Sequence, residues 1–181
     1  MAVKGQSLDM AKALKRAREG ATLLSIADDF PVAFLRHHRA LERMYFFTVE
    51  VDVFVWRNVD VQVYYGLTGT GKTRKAFADH PSIYPVMMTS NIIYWQDYLR
   101  QDAILLDDFY GQIKPSMMLR LLDGHKMMLP VKFGHSYAFW TKVVIIFNIH
   151  PDDWYTDIPE AVKQALKRRI THITHFGVFN E

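Results

Sequence analysis

The sequence predicts an α/β fold with a mainly parallel sheet between helices. Three observations carry this. Short β-branched and aromatic runs alternate with helix-like segments, a glycine-rich motif joins one such run to the helix-like segment after it, and an acidic pair closes a later apolar run. At 181 residues, half of them apolar and 14% aromatic, the chain can bury a substantial core. The net charge of +3 permits nucleic-acid binding without arguing for it. The absence of cysteine excludes disulfides and thiolate metal sites and suits an intracellular protein. No run approaches the roughly 20 apolar residues of a membrane span, and the opening Met1-Ala2-Val3-Lys4-Gly5 does not read as a signal peptide.

Residues 1–45 read as a helical segment and 46–181 as the P-loop domain. Ser7 is a candidate cap for a first helix with Leu8, Met10, Ala11 and Leu14 on one face, and Gly20 stands where a C-terminal stop belongs. Thr22 opens a second helix over Leu23 to Asp29, before Pro31. A third runs from about Val32 to Arg43. The basic residues here, among them Lys12, Lys15, Arg16, Arg36, Arg39 and Arg43, read first as a solvated face and second as a nucleic-acid contact. Phe46 to Trp56 suits either a strand or a continuation of the helix. Strands are then expected at Val59–Tyr65, Ser82–Val86, Ala103–Asp107, Val143–Phe147 and Ile170–Phe176. Helices are expected from Arg74 and over Ile92–Arg100, Pro115–Leu122 and Pro159–Arg168.

The chemistry begins at Gly66-Leu67-Thr68-Gly69-Thr70-Gly71-Lys72-Thr73, which fits the phosphate-binding P-loop. Its glycines let backbone N–H groups approach phosphate oxygens, Lys72 brings a charge to the β- and γ-phosphates, and the Thr73 hydroxyl suits Mg²⁺. Such a loop requires an acidic partner at a neighbouring strand end. Ile104-Leu105-Leu106-Asp107-Asp108 supplies it, with Asp107 suited to the Mg²⁺ shell and Asp108 to polarising water. Asn148, at the end of another apolar run, can orient water without adding negative charge, although Asn before Ile149-His150-Pro151 also suits a simple turn. Arg168 and Arg169 close the last helix, where arginine complements the dipole or, in ring-shaped NTPases, reaches a neighbour's γ-phosphate. Between Leu129 and Phe139 two strand-like arms flank Lys132-Phe133-Gly134-His135. Locally this reads as an exposed hairpin with ordinary turn residues; its charge beside a ring would also suit single-stranded nucleic acid.

In this order, Tyr65 to Thr73, Leu106-Asp107-Asp108-Phe109-Tyr110-Gly111, Phe147-Asn148-Ile149-His150-Pro151-Asp152-Asp153-Trp154-Tyr155 and Arg168-Arg169-Ile170-Thr171 resemble a known family. It is the superfamily 3 helicase domain of the replication initiator (Rep) proteins of circular single-stranded DNA viruses, the circovirus-like group above all. Ala27 to Arg39 resembles the helical segment that precedes the ATPase core in that family. The resemblance implies an AAA+-type P-loop fold and an ATP- and Mg²⁺-dependent DNA helicase, working as a homo-hexamer on single-stranded DNA in the host nucleus. It implies that the N-terminal helices form an oligomerisation collar, that Lys132 and His135 lie on the channel hairpin that grips DNA, and that Arg169, with Arg168 the weaker candidate, is the finger acting in trans.

The family's HUH endonuclease motifs have no match here. His37 and His38 lack the spacer of a His-hydrophobic-His pair, and no tyrosine has a lysine three residues on. The expectation is a helicase portion that neither nicks nor ligates DNA. Two other readings fit a P-loop: an ATP-switched DNA-binding or loader module, and a small-molecule kinase. Against the kinase stand the acidic pair with Asn148 and the lack of a clear basic lid.

Overall fold

A computed structural model of the chain describes residues 3–49, 55–89, 92–131 and 134–177. Lys132 and Phe133 lie outside the described residues, as does the side chain of His135. The chain divides into two compact units, Met1–Phe54 and Val55–Glu181.

The first unit is helical: α1 Val3–Arg18, α2 Leu23–Asp29 and α3 Pro31–Val49. The helix is already running at Val3, so Ser7 lies inside it and is not its cap. The buried stripe of α1 is also rotated from the expected one. Ala13 and Ala17 are fully buried with Met10 and Leu14 beside them, whereas Leu8 is 57% exposed and Ala11 is exposed. Small alanines occupy the close approach to Ile26, Ala33 and Leu41, and residues 10, 13, 14 and 17 trace one helical face. Gly20, at φ +83°, ends α1 as expected. Thr22 caps α2, its hydroxyl accepting from Ser25 N–H at 3.2 Å. Arg16 is structural: its guanidinium donates to Asp29 of α2 and to Ser25 Oγ, the latter at 2.9 Å. Of the two readings for the segment after Tyr45, the helical one holds as far as Val49, with a kink at His37.

The second unit has a five-stranded sheet, β1 Asp60–Gly66, β2 Tyr84–Pro85, β5 Ala103–Leu106, β8 Lys142–Phe147 and β9 His172–Phe176. The order is β2-β5-β8-β1-β9 and every pairing is parallel. The expected α/β class stands, with the AAA+-type arrangement in which β8 separates the P-loop strand from the acidic strand. Strand β5 and residues Val143–Phe147 of β8 are apolar because both sheet faces are covered. The helices are α4 Lys72–Asp79, α5 Pro115–Leu121 and α6 Glu160–Lys167, with a 3₁₀ turn at Pro151–Asp153. A hairpin of β6 Met128–Val131 and β7 Gly134–Tyr137 supplies the two expected arms. Gly134 pairs with Val131 as the first residue of the second arm.

Ile92–Arg100 is not helical. Its start forms β4 Ile93–Tyr94, antiparallel to β3 Met87–Met88, and the rest is turn and loop. Trp95 and Tyr98 have the i, i+3 spacing of a helix face, yet a turn creates it, with Tyr98 N–H donating to Trp95 C=O at 3.2 Å. The aromatic core outweighs helix propensity here. Trp95 stacks on Trp140 at 5.1 Å and 7°, Tyr98 meets both rings edge-on, and all three are buried.

Candidate nucleotide site

The C-terminal ends of β1, β5 and β8 share one edge of the sheet, so residues far apart in sequence meet there. Gly66 ends β1 at φ +138°. A Cβ on it would lie 2.2 Å from the Phe176 carbonyl oxygen of β9, so only glycine fits. Gly71 precedes α4 in the left-handed conformation at φ +86°. The loop then opens onto the first turn of α4, where free N–H groups and the helix dipole favour anions.

Lys72 is 6% exposed, and its Nζ donates to Gly66 O at 2.7 Å and Leu67 O at 2.8 Å. Burial pulls its pKa below the ordinary lysine value, and Asp107 and Asp108 partly restore it. Asn148 Oδ1 lies 3.5 Å from the same Nζ. Thr73 Oγ1 donates to Asp107 Oδ2 at 3.2 Å. Asp108 sits beside it in the left-handed region at φ +50°, its N–H donating to Asp107 Oδ1 at 3.0 Å. These groups border a cleft of ≈ 410 Å³ walled by Thr68 to Arg74, Asp107, Asp108, Ile146 and Asn148. The hard oxygens of Thr73 and Asp107 suit Mg²⁺, which takes few protein ligands and completes its octahedron with phosphate and water.

Arg74 and Ile146 also line the cleft, and sequence reasoning passed over both. Arg74 is exposed in the first turn of α4. Its place directly after Lys72-Thr73 was the available signal.

The two most distinctive strings of the sequence pack against each other. Phe109 is fully buried and meets Trp154 edge-on at 5.0 Å, with Tyr155 and Phe147 around it. Its N–H donates to Ile146 O at 3.0 Å, and the Tyr155 hydroxyl donates to the Ile113 carbonyl. The loops after β5 and β8 are thereby locked together beneath the cleft. Gln112 braces the first of them: its Oε1 accepts from Tyr110 N–H at 2.7 Å and its Nε2 donates to Asp108 O at 3.2 Å.

Arg169 is committed within its own chain. It pairs with Asp123 at 2.6 Å and donates to Ala165 O at 2.8 Å, and both charged side chains are less than one-fifth exposed. Arg168, at the end of α6, is exposed. Burial pushes the Asp123 carboxyl up, but the Arg169 hydrogen bond and the Gly124 N–H outweigh it and hold the group below the usual carboxylate range. A folded-state pKa below the unfolded one means stability present above about pH 3.9 and lost as pH falls through the folded value. Asp123→Asn should therefore cost about 2 kcal/mol at neutral pH and progressively less below about pH 4. Urea unfolding of both proteins across that range checks this; a gap that does not narrow in acid would refute it.

Lys132 lies outside the described residues. His135 is placed only by its backbone, which pairs with Pro130 in the hairpin. Among the described residues no helix is long and apolar enough to cross a membrane.

No family model matches the chain. The replication-associated protein of porcine circovirus 1 is 29% identical over 180 residues, covering 98% of this chain and 57% of that protein. That of porcine circovirus 2 is 28% identical over 172 residues, covering 94% and 54%. The chain thus spans a little over half the length of these relatives. Among solved structures, a chain of the complex of S. cerevisiae Hsp104 with casein overlaps 76% of this chain and 33% of its own at 14% identity. The TM-score of 0.38 is too low to bear on the site.

Proposed function

Because this chain is Rep-like, similar along nearly its whole length to circovirus replication-associated proteins, we propose that it is an ATPase of viral DNA replication that moves on single-stranded DNA as a ring and unwinds duplex. The observation that carries the ATPase reading is the convergence of Lys72, Thr73, Asp107, Asp108 and Asn148 on one cleft. The loop N–H groups and Lys72 hold the triphosphate. Thr73 and Asp107 would hold Mg²⁺, which would supply positive charge against the β- and γ-phosphates. Asp108 takes a proton from the attacking water, and Asn148 orients that water against the γ-phosphate. Cleavage of the terminal phosphoanhydride then leaves ADP and phosphate.

Residues 1–45 serve as an oligomerisation collar and 46–181 as the motor. Lys132 and His135 meet DNA in the central channel. For the finger acting in trans we favour Arg168, because Arg169 already has Asp123 as its partner and Arg168 is exposed. We assign no nicking or ligation to this chain.

Single-stranded DNA should raise ATP turnover several-fold, and a forked duplex should be separated in an ATP-dependent manner. Stimulation without strand separation under ring-forming conditions would indicate a loader. No stimulation at all, with transfer of phosphate to a metabolite, would indicate a kinase.

A further inference from the structure

Asp108 is exposed and holds a backbone conformation that residues with a side chain rarely adopt, at φ +50°. Such a conformation persists where its surroundings over-determine it. Before Asp108, the strand β5 is buried and its register is fixed by β8. After Asp108, Phe109 is anchored in the aromatic core. The peptide between them is held from both ends: Phe109 N–H donates to Ile146 O, and the Asp108 carbonyl is left to Gln112. The Gln112 amide spans the turn and engages backbone groups on both sides of Phe109.

The chemistry of those two groups selects an amide. Tyr110 N–H requires an acceptor and Asp108 C=O requires a donor, and a primary amide offers both from one rigid plane. A carboxylate in its place would accept but not donate, and would add a negative charge beside Asp107 and Asp108. A shorter amide would fall one methylene short of spanning both groups. Gln112 itself does not line the cleft, so it acts only through the backbone it holds.

We propose that Gln112 is a positioning residue for the catalytic carboxylate. By clamping the Asp108 carbonyl and the Tyr110 N–H, it fixes the left-handed turn that aims Asp108 into the cleft. The proposal rests on the reading of Asp108 as the group that activates water. Misorientation of a base by a fraction of an ångström weakens the chemical step while leaving phosphate binding, which belongs to the P-loop, unchanged.

The test is a double-mutant cycle of Gln112→Leu and Asp108→Asn, with kcat, KM, equilibrium binding of a fluorescent ATP analogue and thermal unfolding measured for each protein. The expected result for Gln112→Leu is a fall of about tenfold in kcat, nucleotide affinity unchanged, and no further loss when it is added to Asp108→Asn. If Gln112→Leu does not fold, Gln112→Asn is read in the same way. An unchanged kcat, a parallel loss of affinity, or losses that multiply in the double variant would overturn the positioning role. Full turnover in Asp108→Asn would instead bring down the catalytic reading on which it rests.

Discussion

Asp108→Asn should bind ATP with near-native affinity and lose about 10²–10⁴-fold in turnover, the range spanned by general-base catalysis. The substitution is close to isosteric, and the side chain of Asp108 is not the group that organises the site. Asp107 carries that task, accepting from both the Thr73 hydroxyl and the Asp108 N–H. On the proposed function phosphate contacts fall to the loop and Lys72, which the substitution leaves alone. Loss of a negative charge beside the γ-phosphate even favours binding slightly. Analogue binding by fluorescence, paired with phosphate release over time, separates the two effects. Turnover at the native rate would remove Asp108 from the mechanism, and loss of binding together with turnover would make it part of the phosphate cradle instead.

The second large effect concerns the proposed subunit boundary. Arg168→Ala should abolish most ATP turnover, since a finger arginine contributes about 10³–10⁵ in the classes where it has been measured. Lys72→Ala should also be inactive, having lost the cation of its own loop. Mixed in equal amounts, the two should regain activity, because an Arg168→Ala subunit keeps a sound P-loop and its Lys72→Ala neighbour keeps a sound finger. Random assembly of head-to-tail rings would make roughly a quarter of the interfaces intact. Arg169→Ala behaves differently in this scheme. It leaves Asp123 largely buried without its partner, so it should lower the unfolding temperature, whereas Arg168→Ala should not. Mixed rings that are shown by mass to assemble yet stay inactive would count against a finger at Arg168.

The residues that meet in the cleft were largely legible because phosphate-loop chemistry dictates residue types at strand ends. Lys72, Asp107 and Asn148 lie on three elements, yet each is marked by a glycine-rich turn or by an apolar run that stops at a polar residue. The parallel sheet followed from the same runs. What escaped were features that depend on distant partners. Ile92–Arg100 has helical spacing, but Trp140 lies in a different part of the chain and its ring draws Trp95 out of any helix. Arg169 reads as a free terminal arginine until Asp123 is brought beside it. The face of α1 was misplaced because large side chains attracted the assignment, while close packing selected Ala13 and Ala17. Gln112 had no marker, since its partners are backbone atoms.

The bonds of Lys72 bear on how the proposed phosphate contact would form. Its ammonium already has two carbonyl acceptors within its own loop. An incoming phosphate therefore enters by exchange, trading neutral oxygens for charged ones and releasing the carbonyls of Gly66 and Leu67. The reverse holds when product departs. On the proposed function the lysine would return to the same two carbonyls, so that its buried charge keeps acceptors throughout. A loop that offers its own acceptors would lower the barrier to emptying, a step that the proposed ATPase would repeat in every turnover.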